Sequence, residues 1–202
     1  TWAQSGYFFR LTPWRNDPVG DAPGEVVYLR DELTRDVWSA TPAPIAGDGP
    51  YTVEHDAGSS SFRSEHAGIA SELTLGIAQH AAVKISRLRI QNRSDRPRRI
   101  SVTAYAEWTL GVLREHTQHQ VHTEFDPNLR AMFARNHFSP AYAGWVAFCA
   151  STEQVTSHSG ARRSFVGRNG TLAMPAGLLV PRLDGQTGAG IDPCAALQHV
   201  LV

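Results

Sequence analysis

Residues 100–110 alternate between apolar and polar side chains, and this alternation constrains the fold more than any other stretch of the chain. Successive side chains of a strand point to opposite faces, whereas a helix returns to the same face about every 3.6 residues. The stretch therefore predicts a β-strand with an apolar face and a polar face. The apolar face consists of Ile100, Val102, Ala104, Ala106, Trp108 and Leu110, and the polar face of Ser101, Thr103, Tyr105, Glu107 and Thr109.

Several other stretches predict strands, and none shows a sustained helical period. Residues 69–77 predict a half-buried strand and residues 26–29 a buried one. The helical candidates are short, at residues 193–197 and 139–143. Many strands without crossover helices predict an all-β fold of antiparallel sheets stacked face to face. Further strands are predicted at residues 60–65, 129–136, 144–150 and 164–168.

Two irregular connections are predicted between residues 83 and 97. The apolar parity of residues 83–90 breaks midway, so we expect a bulge near Ser86 and Arg87. Residues 92–97, NRSDRP, are rich in turn-forming side chains. They predict that the strands on either side form a hairpin.

Composition limits the classes of protein to which the chain can belong. A chain of 202 residues with 42% hydrophobic content fits one β-sandwich domain. The balance of 19 basic and 19 acidic residues argues against nucleic acid or an anionic membrane as a partner. Two cysteines are too few for a disulfide framework. Because the chain begins at Thr1 and ends at Val202 within an apolar run, we expect a piece of a larger multidomain enzyme, truncated before the last strands of its domain.

Residues 11–45 carry the strongest signal for sugar contact. Two tryptophans, Asp and Arg side chains and several prolines surround the apolar run 26–29. Indole faces beside Asp and Arg are typical of sugar-binding surfaces, and also of loops anchored to a core. Arg30 and Asp31 could alternatively fix a turn through an ion pair. Trp108 and Trp145 lie in apolar runs and are expected in the core. The sugar-facing candidates are Trp14, Asp17, Arg30, Asp31 and Trp38.

Residues 114–126, REHTQHQVHTEFD, bring imidazoles and carboxylates close together in sequence. Such side chains can hold a metal ion. In an extended chain, however, His116 and His122 face one way and His119 the other. We expect these residues to be solvated side chains at the rim of a sheet, with no metal bound. The set to be tested as the alternative is His116, His119, His122 and Glu124, with Asp126 beside them.

Separated motifs in this sequence resemble a known family over nearly the whole chain. They begin with LTPWRNDPVGDAPGEVVYLRDELTRDVWSATPAPI, YTVEHDAGSSSFRSE and RISVTAYAEWTLG, and continue with HTEFD, MFARN and GIDPCAALQ. In this order they resemble the N-terminal β-sandwich domain of the inverting glycoside phosphorylases of the cellobiose phosphorylase family. They are particularly similar to the phosphorylase-like region of cyclic β-1,2-glucan synthases.

The resemblance implies a β super-sandwich like that of galactose mutarotase and an accessory, noncatalytic role without a cofactor. Catalysis in that family belongs to a following (α/α)6 domain, where an Asp is the general acid and phosphate attacks with inversion. The implied partners are this (α/α)6 domain, a β-glucan or gluco-oligosaccharide, and a second copy in a homodimer. The implied location is the cytoplasmic face of a bacterium, with the parent as an inner-membrane protein.

Two other classes of function remain open on the sequence. The first is an autonomous carbohydrate-binding module, which requires Trp14 and Trp38 to form one platform. The second is a mutarotase-like or metal-dependent sugar enzyme that uses the His, Glu and Asp side chains of residues 116–126.

Overall fold

The computed structural model describes residues 1–17 and 19–202, and nearly all of its regular structure is β-strand. The described strands form three antiparallel sheets. Strands are numbered in chain order over the whole protein. The first sheet, which we call the central sheet, has five strands. Across the sheet they are β11 (Ser157–Ala161), β13 (Pro193–Leu201), β7 (Ile100–Glu107), β1 (Glu25–Asp31) and β2 (Val37–Ser39).

The other two sheets have four strands each. The second sheet contains, in spatial order, β10 (Ala147–Ala150), β9 (Ala131–Asn136), β8 (Val121–Asp126) and β12 (Gly188–Ala189). The third sheet contains β3 (Thr52–Asp56), β4 (Ser59–His66), β5 (Ile69–Ile77) and β6 (Lys84–Asn92). Helical segments are short: α1 (Arg114–Thr117), α2 (Arg162–Val166) and a 3-10 helix (Ala176–Leu178). None of the helices in the described ranges is long and apolar enough to cross a membrane.

The two four-stranded sheets cover one face of the central sheet. Leu29 of β1 packs in one buried cluster with Ile69 and Leu73 of the third sheet. Leu197 of β13 packs in another with Met132 of the second sheet. Burying apolar surface is the main favourable term in folding, at about 25 cal/mol per Å². The sandwich is therefore held by two adjoining apolar layers on one side of the central sheet.

The opposite face of the central sheet is covered by α2 and the 3-10 helix. The Phe165 ring of α2 stacks on Tyr105 of β7, with ring centroids 4.8 Å apart. These helices bury the side chains on the polar face of β7, including Ser101 and Thr103, which are each 1% exposed. The predicted strand is confirmed, but both of its faces are buried rather than one.

The all-β prediction with antiparallel sheets is confirmed by this topology. The strand predicted at 69–77 matches β5, and the one at 60–65 lies within β4. The strand at 26–29 lies within β1, and those predicted at 129–136 and 144–150 contain β9 and β10.

The predicted bulge in residues 83–90 is wrong. Strands β5 and β6 pair without interruption from Ile69↔Asn92 to Ile77↔Lys84. β6 is an edge strand and Ile85 is 53% exposed, so the apolar side chain at this position faces outward without any bulge. The predicted hairpin at residues 92–97 is also wrong, because β6 and β7 belong to different sheets.

The helical and strand predictions near the C-terminus also need correction. Residues 164–168, predicted as a strand, lie mostly in α2, and residues 193–197, predicted as helical, begin β13. β13 runs between β11 and β7 with both faces buried, and its small apolar side chains therefore do not alternate with polar ones. Residues 139–143 form turns rather than a helix. Trp145, predicted in the core, is 38% exposed.

Candidate functional site

Trp38 was a candidate for sugar contact, but the structure places it in the core. Its side chain is 1% exposed and packs in the same cluster as Leu29 and Ile69. Its ring lies 4.5 Å, between centroids, from the imidazole of His66. The reason is local: Trp38 lies on β2, which pairs with β1 at Leu29, so its indole faces the third sheet. Trp38 cannot form a surface platform with Trp14.

Arg30 is also buried, at 1% exposure, on the face of the central sheet that α2 and the 3-10 helix cover. Its Nη1 donates hydrogen bonds to the backbone oxygens of Leu178 (2.5 Å) and Val180 (2.7 Å). Its Nε donates to the Glu32 carboxylate at 2.9 Å. The predicted Arg30–Asp31 ion pair is wrong, because neighbours on a strand point to opposite faces and Arg30 pairs with Glu32 instead. Arg30 therefore anchors the 3-10 helix and is not available to a sugar.

Asp31 is 1% exposed and holds the turn that follows β1. Its carboxylate accepts hydrogen bonds from the backbone N–H of Leu33 (2.7 Å) and Thr34 (3.2 Å) and from Arg98 Nε (2.8 Å). Burial by itself raises the pKa of the Asp31 carboxyl, but these hydrogen bonds and the Arg98 charge outweigh it and lower the pKa. A carboxylate held ionised in this way is a structural anchor, and sugar contact by Asp31 is contradicted by its burial.

Trp14 and three other aromatic side chains remain on the surface. Trp2, Tyr7, Phe8 and Trp14 are each between 61% and 62% exposed. The Arg10 guanidinium carbon lies 5.3 Å from the centre of the Trp14 ring and 5.9 Å from that of Tyr7. A guanidinium over an aromatic ring within about 6 Å is attracted to it. We call these five side chains the aromatic surface.

The backbone under the aromatic surface is fixed to the rest of the fold. Arg10 exchanges two backbone hydrogen bonds with Gly111, at 3.0 and 3.2 Å, and forms a bridge with Trp2. The Arg15 guanidinium pairs with the Glu115 carboxylate of α1 at 2.6 Å. The aromatic side chains are thus exposed on a segment whose backbone is held in place.

Asp17 is exposed and stabilises a turn. Its carboxylate accepts hydrogen bonds from the backbone N–H of Gly20 (3.1 Å) and Val19 (3.0 Å). These two bonds, and to a smaller extent the Arg15 charge, lower the pKa of the carboxyl. Asp17 is therefore a surface carboxylate near Trp14 in sequence, ionised at neutral pH.

The His, Glu and Asp side chains of residues 116–126 are not brought together. His116 lies on α1, His119 in the turn after it, and His122 on β8. Glu124 pairs with Arg135 across the second sheet, at 3.3 Å. Among residues 1–17 and 19–202, no three His, Cys, Asp or Glu side chains are placed to hold one metal ion. The break between α1 and β8 separates side chains that are close only in sequence.

The outer face of the third sheet carries a polar cavity that the sequence reasoning did not identify. It has a volume of about 390 Å³. On one side Arg63 joins two carboxylates, with its Nε 2.7 Å from Glu72 and its Nη1 2.9 Å from Glu54. On the other side Arg93 pairs with Glu65 at 2.8 Å. We call this cavity the polar groove. Its main lining side chains are Thr52, Arg63, Glu65, Ala70, Glu72, Arg89, Gln91 and Arg93.

The signal for the polar groove is present in the sequence. On β4, β5 and β6 the residues that alternate with the apolar ones are rich in Arg, Glu and Gln. The apolar residues of each strand predict the strand, but the polar residues between them do not by themselves predict a site. The pairing register brings these residues into one face, and register between strands cannot be read from a single strand.

The chain matches one family model over its full length, residues 1–202, and the description of that model is the supersandwich domain of glycosyl hydrolase 94. It is 33% identical, over 98% of its own length, to the cyclic beta-(1,2)-glucan synthase NdvB of Rhizobium meliloti. It is 27% identical, over 96% of its length, to an N,N'-diacetylchitobiose phosphorylase of Vibrio furnissii. It is 27% identical, over 88% of its length, to a cellobionic acid phosphorylase of Neurospora crassa.

These relatives are much longer than the region they share with the chain. The chain spans 7% of the glucan synthase, 25% of the chitobiose phosphorylase and 23% of the cellobionic acid phosphorylase. The predicted super-sandwich and the resemblance to this group of enzymes are confirmed by the match over residues 1–202.

Proposed function

The chain belongs to the family of glycosyl hydrolase 94 supersandwich domains, and from this premise we propose that it is a noncatalytic accessory domain that packs on a separate (α/α)6 catalytic domain. The aromatic surface is the observation that carries the proposal. Trp2, Tyr7, Phe8 and Trp14 are more than half exposed, and the Arg10 guanidinium lies over the rings of Tyr7 and Trp14. Tryptophan, tyrosine and arginine are enriched in protein interfaces and at their energetic centres. Packing against the catalytic domain would cover these side chains.

The fixed backbone beneath the aromatic surface supports a docking role. Its two hydrogen bonds to Gly111 and the Arg15–Glu115 pair hold the segment before any partner arrives. A surface that is already ordered loses less conformational entropy on binding than a mobile one. Trp14 and Asp17 at the edge of such an interface would border the sugar site of the catalytic domain.

The lack of assembled catalytic groups supports the noncatalytic part of the proposal. Asp31 is occupied by Arg98 and two backbone N–H groups. His116 and His119 lie in α1 and the turn after it, whereas His122, Glu124 and Asp126 lie on β8. General acid and base catalysis needs its groups within hydrogen-bond reach of one substrate. Asp31 is not free for such a role, and within the described part of the chain no three His, Cys, Asp or Glu side chains are grouped to hold one metal ion.

The relatives indicate the reaction of the parent enzyme. One is a glucan synthase and two are disaccharide phosphorylases. We therefore propose that the parent transfers or phosphorolyses β-glucosyl units of a β-glucan or gluco-oligosaccharide. We also propose the cytoplasmic face of a bacterial inner membrane as the location of the parent and a homodimer as its assembly, as the sequence resemblance implies. Membrane fractionation and light scattering of the full-length protein test these two points.

The docking role is tested in the full-length enzyme with the double variant Tyr7→Ala/Trp14→Ala. We expect its glycosyl transfer or phosphorolysis activity to fall by about tenfold or more, because losing a central interface side chain costs at least about 1.4 kcal/mol. The matched control is Met174→Ala, which removes a 70% exposed apolar side chain elsewhere on the chain. Full activity in the double variant would refute the docking role.

A carbohydrate-binding role is the second candidate, and the polar groove favours it. The originally expected platform of Trp14 and Trp38 does not exist, since Trp38 is buried. Sugar binding, if it occurs on this domain, therefore needs another surface.

A further inference from the structure

We propose that the polar groove binds a segment of uncharged gluco-oligosaccharide. This inference rests on the proposed function, because the class of sugar is taken from it. It assigns a binding site to the outer face of β3, β4, β5 and β6, on elements different from those of the aromatic surface.

The shape of the groove follows from one short side chain among long ones. Ala70 of β5 lies between Glu65 of β4 and Gln91 of β6. The next row on the same face places Glu72 between Arg63 and Arg89. Rows on one face of a sheet are separated by about 7 Å. A methyl group surrounded by longer side chains leaves a depression at the scale of a sugar ring, with Ala70 at its floor.

A glycine allows the neighbouring loop to close one end of this depression. A Cβ atom on Gly49 would lie 2.4 Å from the backbone oxygen of Glu65, which no side chain tolerates. Glycine at this position lets the loop approach the sheet closely, and Pro50 and Thr52 then form the end wall. The concavity is therefore set by the backbone as well as by side-chain length.

The lining offers both kinds of hydrogen-bonding group that sugar hydroxyls need. A hydroxyl group donates one hydrogen bond and accepts others, whereas guanidinium groups only donate and carboxylates only accept. Arg63, Glu72, Glu65 and Arg93 supply both in fixed positions, because each is held in an ion pair. In ligand sites, a few such placed polar groups fix the orientation of the ligand.

Arg89 is the guanidinium of the lining that has no ion-pair partner within residues 1–17 and 19–202. Its planar fork of donors is free to bind two adjacent oxygen atoms, and vicinal hydroxyls of a glucosyl ring present such a pair. Arg89 is therefore the side chain of the groove that has most to gain from a ligand.

The charge of the groove favours an uncharged ligand over an anion. The guanidinium groups of Arg63 and Arg93 are already neutralised by Glu54, Glu72 and Glu65. With Arg89, three guanidinium groups stand against three carboxylates, so the groove and the adjacent Glu54 have no net positive charge to attract phosphate, and a phosphate group on Arg89 would lie beside the Glu72 carboxylate. A neutral sugar avoids this repulsion and uses donors and acceptors together.

The inference is tested by calorimetric titration of residues 1–202 with linear β-1,2-linked gluco-oligosaccharides. Inorganic phosphate is the anion probe. We expect saturable binding of the sugar at one site per chain and no heat from phosphate. Absence of sugar binding, or binding of phosphate in place of sugar, would overturn the inference.

Two variants, each with a matched control, place the binding in the groove. Ala70→Ile fills the floor without changing charge and should abolish binding, whereas Thr74→Ile, on the same face of β5 but outside the lining, should leave it unchanged. Arg89→Ala should weaken binding about tenfold, while Arg87→Ala on the same face of β6 should not. Circular dichroism checks the folding of each variant. If Ala70→Ile does not fold, the Arg89 and Arg87 variants decide.

The outcome can be separated from that of the proposed function. Sugar binding that survives both Ala70→Ile and Arg89→Ala contradicts the groove even if the docking role holds. An enzyme that needs its aromatic surface for activity, but binds no sugar at the groove, would keep the proposed function and remove this inference.

Discussion

The segments around Trp14 and Trp38 have the same kinds of side chain, but the structure gives them opposite environments. Each contains a tryptophan, an Arg and an Asp near a turn. Trp14 is 61% exposed beside Arg10, whereas Trp38 is 1% exposed against the third sheet. The difference arises because Trp38 lies on a strand paired with β1, while Trp14 follows a short bridge at the margin of the fold. The shared composition predicted an exposed tryptophan in both segments, and only Trp14 is exposed.

The two aspartates of these segments sharpen the contrast. Asp17 and Asp31 each accept hydrogen bonds from the backbone N–H groups two and three residues later. Both carboxyls have a lowered pKa. Only Asp31 is buried and paired with an arginine, Arg98. The same local turn chemistry thus serves a surface loop in one case and the interior in the other.

The largest expected effect is the difference in the free energy of unfolding between the variants Trp38→Ala and Trp14→Ala. Trp38→Ala should lower the free energy of unfolding by about 3–5 kcal/mol, because it leaves a cavity between two sheets. Trp14→Ala should change the free energy of unfolding by less than about 0.5 kcal/mol, since the ring is mostly in water. Urea denaturation of residues 1–202 measures both. Equal losses in the two variants would show that the contrast in burial is wrong.

Removing the charge of Asp31 should have the next largest effect. Asp31→Asn leaves the buried Arg98 without its partner and should cost about 3 kcal/mol at pH 7. Because the folded-state pKa of Asp31 is lowered, its stabilising contribution is present above the unfolded pKa, near about 4, and is lost as pH falls through the folded value.

The difference between wild type and Asp31→Asn should therefore shrink below about pH 4. Denaturation series at several pH values measure it. Asp17→Asn is the matched control at the exposed turn and should have the smaller effect at every pH. If the free energies of unfolding of wild type and Asp31→Asn differ by the same amount at pH 7 and in acid, the ionised state assigned to Asp31 is contradicted.

The smallest expected effect concerns Glu25, which lies between the two segments. Its carboxylate accepts hydrogen bonds from Thr12 Oγ1 at 2.9 Å and from Lys84 Nζ at 2.7 Å. Burial raises the pKa of Glu25, but Lys84 outweighs it and the pKa falls to about 2. Lys84→Met should lower the free energy of unfolding by about 1 kcal/mol at pH 7.

The contribution of Glu25 is present above its usual pKa of 4.5 and is lost as pH falls toward about 2. The difference in the free energy of unfolding between wild type and Lys84→Met should disappear over that pH interval. Arg87→Met, at an exposed position of the same strand, is the control and should stay within about 0.5 kcal/mol of wild type. A gap that widens on acidification would be incompatible with the Lys84–Glu25 pair.

The sequence predicts elements well where one face of a strand is buried. β5 was found at its observed bounds because its apolar residues share one parity against a single apolar layer. β13 was missed because both faces are buried, which removes the alternation that marks a strand. The two helical elements that cover the central sheet, α2 and the 3-10 helix, have too few residues for a helical period to be recognised.

The candidate site was predicted less well, for a different physical reason. Exposure of Trp14, Arg30, Asp31 and Trp38 depends on which strands pair and which face is covered, and these are long-range properties. The polar groove likewise exists only after β4, β5 and β6 are placed in register. The resemblance to the phosphorylase family supplied the fold and the class of enzyme, but it could not assign the side chains of this domain to surface or core.

The most direct test of the central claim, that this domain packs on a catalytic partner through its aromatic surface, is hydrogen exchange measured by mass spectrometry. Residues 1–202 alone are compared with the full-length enzyme. The account predicts slower exchange in the full-length enzyme at residues 2–15 and 111–115, and unchanged exchange along β3 and β4. Equal exchange of residues 2–15 in the two proteins would contradict it.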